Sequence, residues 1–298
     1  MLKNANIHIS GFADEISQDF DKQLSVVKEL GMNYICVRSA GPKSIAQFSP
    51  QEFTDELWTK MQAAGVGMSS VGSPIGKVGV NDEESFALHL QVLENLCQIC
   101  KIADCKYIRI FSFYIPEGDD PDSYRDVVIA KLKQFVEIAE RHGVILIHEN
   151  EKDIYGDTAP RCRELFDAIK SDCFKAAFDF ANFVQVGQDP VEAWDMLHDE
   201  VVYIHIKDAV TGNNENVVAG TGDGHLEDIL KRAIVDEGYE GFLTLEPHLV
   251  IFDALKQLET KDVSDIIHGD KAKDGPDGYA KQYHALLGIL ERIGVKAA

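Results

Sequence analysis

Apolar residues along this chain alternate between two rhythms, short near-continuous runs and longer stretches at helical spacing. The short runs predict strands at Ile7–Ser10, Tyr34–Arg38, Gly67–Val71, Tyr107–Phe113, Val144–Asn150, Lys175–Phe180, Val201–Lys207 and Gly241–Glu246. Between them lie amphipathic stretches at Asp19–Leu30, Glu52–Ala64, Glu83–Ala103, Ser123–His142, Ala159–Ile169, Pro190–Leu197 and Leu226–Glu237, and a last one at Tyr279–Ile293 closes the series. Several of these end in a glycine that leads into the next strand, as at Gly31, Gly65, Gly143 and Gly238, which suits a left-handed helix cap. Eight repeats of strand, helix and glycine, with strands apolar enough for burial on both faces, predict a single (β/α)8 barrel over residues 1–298. A doubly wound sheet is the alternative. No linker rich in Pro, Gly or Ser interrupts the series. The rhythm breaks only at Leu249–Gly278, which reads as an insertion between the eighth strand and the last helix, over the mouth of the barrel.

Composition narrows the partners. With 298 residues, 45% of them hydrophobic, the chain can bury a large core, and a formal charge of −21 disfavours nucleic acid and anionic membranes. A small-molecule partner is expected, with a homo-oligomer as an open possibility. The N-terminal stretch Met1–Gly11 alternates apolar and polar residues as a strand does, unlike a signal peptide, and no run approaches a membrane span of about 20 apolar residues. Six cysteines in a chain of this length do not suggest a disulfide framework, and the C-x-x-C of Cys97 and Cys100 reads as two buried apolar residues. A soluble cytoplasmic protein is the expectation.

The chemistry concentrates at the ends of the last four predicted strands. Glu149, Asp179, His205 and Glu246 each close an apolar run, and barrels of this kind place their active groups at the C-terminal strand ends. An acid at a strand end more often caps the following helix when taken singly. Four metal-competent side chains on neighbouring strands, three of them anionic, instead suit one divalent cation. Among the basic residues, Arg38, Lys77, Arg109 and Lys207 are placed to hold an oxygen-rich or anionic substrate or to pair with acidic neighbours. The run Gly220-Thr-Gly222-Asp-Gly224 before a helix offers backbone amides of the sort that bind phosphate, without the lysine of a nucleotide-binding loop. His148 should face away from Glu149 because strand side chains alternate.

Several of these motifs together resemble the xylose isomerase-like TIM barrels, in the sugar phosphate isomerase/epimerase branch: Glu149-Asn150, Asp179-x-x-Asn182, His205-x-Lys207-Asp208, the Gly220–Gly224 run, and Gly238-Tyr239-x-Gly241 leading to Leu245-Glu246. The resemblance spans nearly the whole chain, including Gly11-Phe12-Ala13-Asp14-Glu15. It implies that Glu149, Asp179, His205 and Glu246 bind a divalent metal, manganese first, with magnesium, cobalt or zinc as other choices. Many members carry histidine where this chain has Asn182.

Proton transfer beside a carbonyl suits such a site, because a cation next to the carbonyl oxygen stabilises the enediolate formed when the carbon-bound proton leaves. Glu149 and Glu246 are the expected proton-transfer pair. Arg38, Lys77, Asn182, Lys207 and His248 are expected at the substrate, and Glu151 and Asp208 behind the ligands, orienting them. The leading function is a metal-dependent isomerase or epimerase of a sugar, keto-sugar or sugar phosphate. A dehydratase on a keto-polyol would use the same groups. An endonuclease IV-like repair hydrolase fits the charge poorly, and a non-catalytic sugar-binding protein would not need all four donors.

Overall fold

The computed structural model describes residues 3–251 and 271–298. Of the expected insertion at 249–278, residues 252–270 lie outside the described residues.

All eight predicted strands are present: β1 (Ile7–Gly11), β2 (Tyr34–Val37), β3 (Gly67–Val71), β4 (Tyr107–Ile110), β5 (Ile145–Glu149), β6 (Phe174–Asp179), β7 (Val201–Ile206) and β8 (Gly241–Leu245). They pair in parallel, each with its sequence neighbours, and β8 returns to β1 through Gly241–Ile7 to Leu245–Gly11. Between β1 and β2 there is no ladder. They meet in a single bridge, Phe12 to Cys36, so the (β/α)8 barrel is nearly closed, with a seam at that point. Strand β4 stops at Ile110, short of the apolar run that predicted it. Its continuation turns away, the Phe111 amide bonding Ile75 O and Phe113 taking φ +68°.

The helices follow their apolar stripes: α1 (Phe20–Glu29), α2 (50–64), α3 (Glu83–Ile102), α4 (Arg125–His142), α5 (Ala159–Ala168), α6 (Phe180–Gln185), α7 (Pro190–Leu197), α8 (Leu226–Lys231) and α9 (Gly275–Arg292). In α4 the buried residues Val128, Leu132, Phe135, Val136 and Ala139 recur at the three- and four-residue spacing of one helix face, which seats the helix on the barrel. Truncating Leu132 to alanine there would cost about 2–5 kcal/mol. Gly143 ends α4 with φ +70°, a conformation that strains any side-chain-bearing residue. Helix α9 begins four residues earlier than its apolar pattern, because Asp274 caps the first turn by accepting from the Asp277 amide. Helix α6 was not visible in the pattern, since it starts directly at the end of β6, with Asp179 as its cap. No described helix is long and apolar enough to cross a membrane.

Alternation along the strands decides what faces the barrel interior. Ile147, Ala177 and Tyr203 pack together inside, and above them a hydroxyl cluster closes the floor. There the Tyr203 hydroxyl accepts from Ser70 (2.8 Å) and Thr244 (2.6 Å) and meets Ser69 (2.9 Å). His148 points the other way, against Phe166 and Phe174, with Nε2 2.9 Å from Ser112 Oγ. Burial pulls its pKa down to about 4, so it is a neutral structural residue. The described cysteines are free, Cys97 and Cys100 among the buried ones.

Candidate metal centre

The four strand-end residues meet. Glu149 ends β5, Asp179 ends β6, His205 is the penultimate residue of β7, and Glu246 follows β8 directly. All four are buried, and each offers a donor atom within 4.8 Å of the others. The shared point lies beside His205 Nδ1, which is 3.0 Å from Glu149 Oε1, 3.2 Å from Glu246 Oε2 and 3.8 Å from Asp179 Oδ2.

Charge compression shows in the titration behaviour. Burial opposes ionisation of Glu149, but the His205 ring and the Arg109 guanidinium outweigh it and bring the group down to about 2. For Asp179 burial wins over the attraction of Lys207, helped by repulsion from Glu246 and Glu149, and lifts it to about 7. Burial disfavours a charged His205, yet Glu149 and Glu246 raise it to about 9. Glu246 is held well below the usual carboxylate range, Lys207, His205 and His248 outweighing its burial. The His205 ring and the Lys207 ammonium, 3.8 Å from Asp179 Oδ2, are the positive groups that face the converging carboxylates.

The donor set fits a divalent cation. Asp179 Oδ2 is buried and has no hydrogen-bond partner, and Glu246 Oε2 has none of good geometry, so oxygen lone pairs converge beside the imidazole with unmet acceptor capacity. Three carboxylate oxygens and one imidazole nitrogen suit manganese, magnesium or zinc better than a soft, thiolate-seeking ion. The His205 ring is fixed by aromatic neighbours, with Phe12 edge-on at 5.2 Å and Tyr203 at 5.7 Å.

Each proton-transfer candidate is held from behind by an arginine. Glu149 Oε2 accepts from Arg109 Nη1 at 3.0 Å, and Glu246 Oε1 accepts from Arg38 Nη1 at 3.3 Å. Phe12 lies under both guanidiniums, 4.4 Å from Arg38 Cζ and 4.9 Å from Arg109 Cζ. Arg38, expected at the substrate, is largely occupied by Asp14, which accepts from its Nε (2.8 Å) and Nη2 (3.0 Å), and it also reaches Glu15 at 3.3 Å. A second group, Glu15, Glu246 and His248, also has ligand-like spacing, but Arg38 already bridges its two carboxylates. His248 Nε2 lies 3.4 Å from Glu15 Oε1 and 3.3 Å from Glu246 Oε1.

Asn182 and Lys207 sit at the Asp179 side. Lys207 Nζ donates to Asn182 Oδ1 at 2.8 Å and stands 3.8 Å from Asp179 Oδ2. Asn182 Nδ2 reaches Asn150 O (2.8 Å) and Glu149 Oε1 (3.4 Å), and the Asn150 side chain pairs with both backbone groups of Asp179, each at 3.0 Å. Lys77 is joined to Glu151 at 3.0 Å and lies over the Phe111 ring, and both side chains keep a small exposed fraction, which places them on the rim side of the buried cluster.

Asp208 corrects an expectation. Instead of orienting a ligand, its carboxylate accepts from the amides of Gly220 (2.8 Å), Gly222 (2.9 Å) and Gly224 (3.0 Å). The amides expected to offer a phosphate site are therefore taken by the chain itself. Sequence reasoning gave no role to Asp14, Glu15 or Asn150 and left Arg109 between two readings. Arg109 carried a usable signal, because a charged residue inside a strand buried on both faces requires a charged partner.

Fold and donors together define a (β/α)8 barrel with a metal-competent centre at its C-terminal strand ends. The chain belongs to the xylose isomerase-like TIM barrel family, whose model matches residues 24–296. Similar structures include an L-ribulose 3-epimerase (19% identity, 97% of this chain and 95% of that one, TM-score 0.72). The 3-keto-D-glucoside 4-epimerase of E. coli shares 15% identity over 96% of this chain and 98% of its own (TM-score 0.67). A xylose isomerase-like TIM barrel protein of Mycobacterium smegmatis, in complex with magnesium, shares 17% identity over 97% of each chain (TM-score 0.69). At these identities the likeness establishes the fold. Among curated proteins none matches the sequence.

Proposed function

We propose that this protein is a divalent-metal-dependent isomerase or epimerase acting on a sugar or keto-sugar, with Glu149 and Glu246 moving a proton at the carbon beside a carbonyl. One observation carries the reading: the two carboxylates are equivalent. Each turns one oxygen to the shared point at His205 Nδ1 and the other to a buried arginine. They arrive from β5 and β8, with two strands between them, so they approach a bound molecule from different directions.

Bound between Glu149, Asp179, His205 and Glu246, a divalent ion would supply positive charge beside the substrate's carbonyl oxygen. The chain's residues do the rest. One glutamate, ionised, takes the carbon-bound proton as general base, and the other, carrying a proton when the substrate is bound, returns it from its own side, which inverts the carbon and exchanges the protonation states of the two. Arg109 and Arg38 hold the outer oxygens of the two carboxylates and leave their inner oxygens aimed at the centre. Lys207 and Asn182 line the Asp179 side, where a substrate oxygen can replace part of their mutual hydrogen bond. The epimerases among the similar structures agree with this chemistry.

The test is solvent-deuterium incorporation into ketoses by the manganese-loaded protein, read by NMR and mass. Exchange at the carbon next to the carbonyl, at conserved substrate mass and dependent on added metal, supports the reading. Loss of water would convert it to a dehydratase, and a protein that binds none of manganese, magnesium, cobalt or zinc would sink both.

A further inference from the structure

The buried stripe of α9 carries a side-chain amide. Gly278, Tyr279, Leu286, Ile289 and Leu290 are buried along it, and with them Gln282, which is wholly enclosed. An apolar residue of the same length would fill that place without the cost of drying a polar group, so what the amide contributes is its directed bonds. Both ends are used. Gln282 Nε2 donates to Ile206 O at 2.9 Å, and Gln282 Oε1 accepts from the Ala219 amide at 3.0 Å. A backbone N–H can only donate and a carbonyl can only accept, so these two partners fix which way the amide faces.

Ile206 lies between His205 and Lys207, and its carbonyl also receives the Glu246 amide at 3.1 Å, where β7 and β8 end. Both lone pairs of this oxygen are therefore taken, one by the metal-competent residue that follows β8 and one by α9. At the other end of the Gln282 amide, Ala219 directly precedes Gly220, whose own amide binds the Asp208 carboxylate. Gln282 thus ties α9 to both ends of the segment 206–219, which leaves β7 just beyond His205. The helix is itself seated closely on the barrel. One turn before Gln282, Tyr279 lies against Gly11, where an added Cβ would stand 2.0 Å from the Tyr279 hydroxyl and 3.0 Å from Leu245 Cβ. So close a fit resists sliding of α9 along β1 and β8.

We infer that Gln282 is a positioning residue of the metal-competent centre: through Ile206 O it sets the ends of β7 and β8, and with them the placing of His205 against Glu246. His205 Nδ1 and Glu246 Oε2 stand 3.2 Å apart, on residues whose backbones meet at that carbonyl. Gln282 acts from α9 by two hydrogen bonds, both to backbone atoms. This role presupposes the metal centre on which the proposed reaction rests, and it does not depend on which proton is moved.

Two measurements on the full-length protein test it. Gln282→Met keeps the length of the side chain and removes both hydrogen bonds, and its manganese dissociation constant, read by calorimetry, should rise about 10- to 100-fold. Leu290→Ala, two turns further along the same buried stripe, is the control for loosened packing. Its urea midpoint should fall at least as far as that of Gln282→Met, with manganese affinity kept within about threefold of the parent. Unchanged affinity in Gln282→Met, or an equal loss in Leu290→Ala, overturns the inference. The second measurement needs no variant: hydrogen exchange of the parent, read by mass spectrometry with and without manganese. Because coupling between two sites is reciprocal, manganese should slow exchange in residues 216–224 and 275–292 as well as at the ends of β7 and β8. Protection confined to the strand ends overturns the inference. A parent that binds none of manganese, magnesium, cobalt or zinc sinks the metal centre and this role together, whereas a parent that binds manganese regardless of Gln282 sinks this role alone.

Discussion

Strands β5 to β8 supply the four converging donors, while β1, β2 and β4, with the segments that follow them, supply the two arginines and the aromatic ring that hold those donors in place. One half of the barrel gathers the donor set a cation would need; the other brings cations of its own. Arg38 and Arg109 each bind the outer oxygen of a glutamate whose inner oxygen faces the centre. The difference teaches that a concentration of buried acid is stable only when permanent positive charge is built in beside it. Ligand and holder are therefore separate roles on separate strands, and they can be broken separately.

The largest effect should come from the receiving half. Glu149→Gln and Glu246→Gln each remove a proton-transfer group while keeping the shape, and solvent-deuterium exchange should fall by about 100- to 10,000-fold. A variant that keeps near-normal exchange while still binding metal would end the assignment. Next comes the holding half. Arg109→Met leaves Glu149 buried without its partner and should lower stability by about 3–5 kcal/mol in urea unfolding, with Arg109→Lys recovering part of the loss. Equal stability of the methionine variant and the parent would show that the arginine holds nothing.

The pH dependence of metal binding sharpens the same contrast. In the ion-free protein Asp179 titrates near 7 and His205 near 9, and both must be deprotonated to donate to a cation. Protons therefore compete on the acidic side. Manganese affinity should rise with pH, by up to about tenfold per unit between 7 and 9 and more steeply below 7, levelling off above 9. Calorimetry at several pH values, with proton release counted from buffer ionisation heats, checks this; a flat profile would contradict it. The smallest effect belongs to the rim. Lys77→Met breaks the partly buried pair with Glu151 outside the cluster and should cost about 1–2 kcal/mol, less than Arg109→Met. If it destabilised the fold as much as Arg109→Met, rim and holder would not differ.

Much of the barrel was legible because strand and helix periods are local properties of the sequence. The four strand-end donors could be placed once the repeat was counted. The holders could not, since the Arg38 contact with Glu246 spans 208 residues and nothing in either segment names the other. The role of Asp208 was hidden for a related reason. A glycine run reads the same whether its amides await a ligand or enclose a carboxylate from earlier in the chain, and only the closed loop tells which. Helix α6 escaped because its cap is the strand's own last residue, so the polar break that normally announces a helix start is absent.

The ring of strands is thinly laced at two places, between β1 and β2 at Phe12 and Cys36, and between β3 and β4 at the single pair Val71 and Ile108. At the first of these places stands Phe12, the ring on which both guanidiniums rest. A displacement of Phe12 would therefore reach the two arginines together. Through those arginines the closure of the ring and the placing of the two glutamates share one side chain.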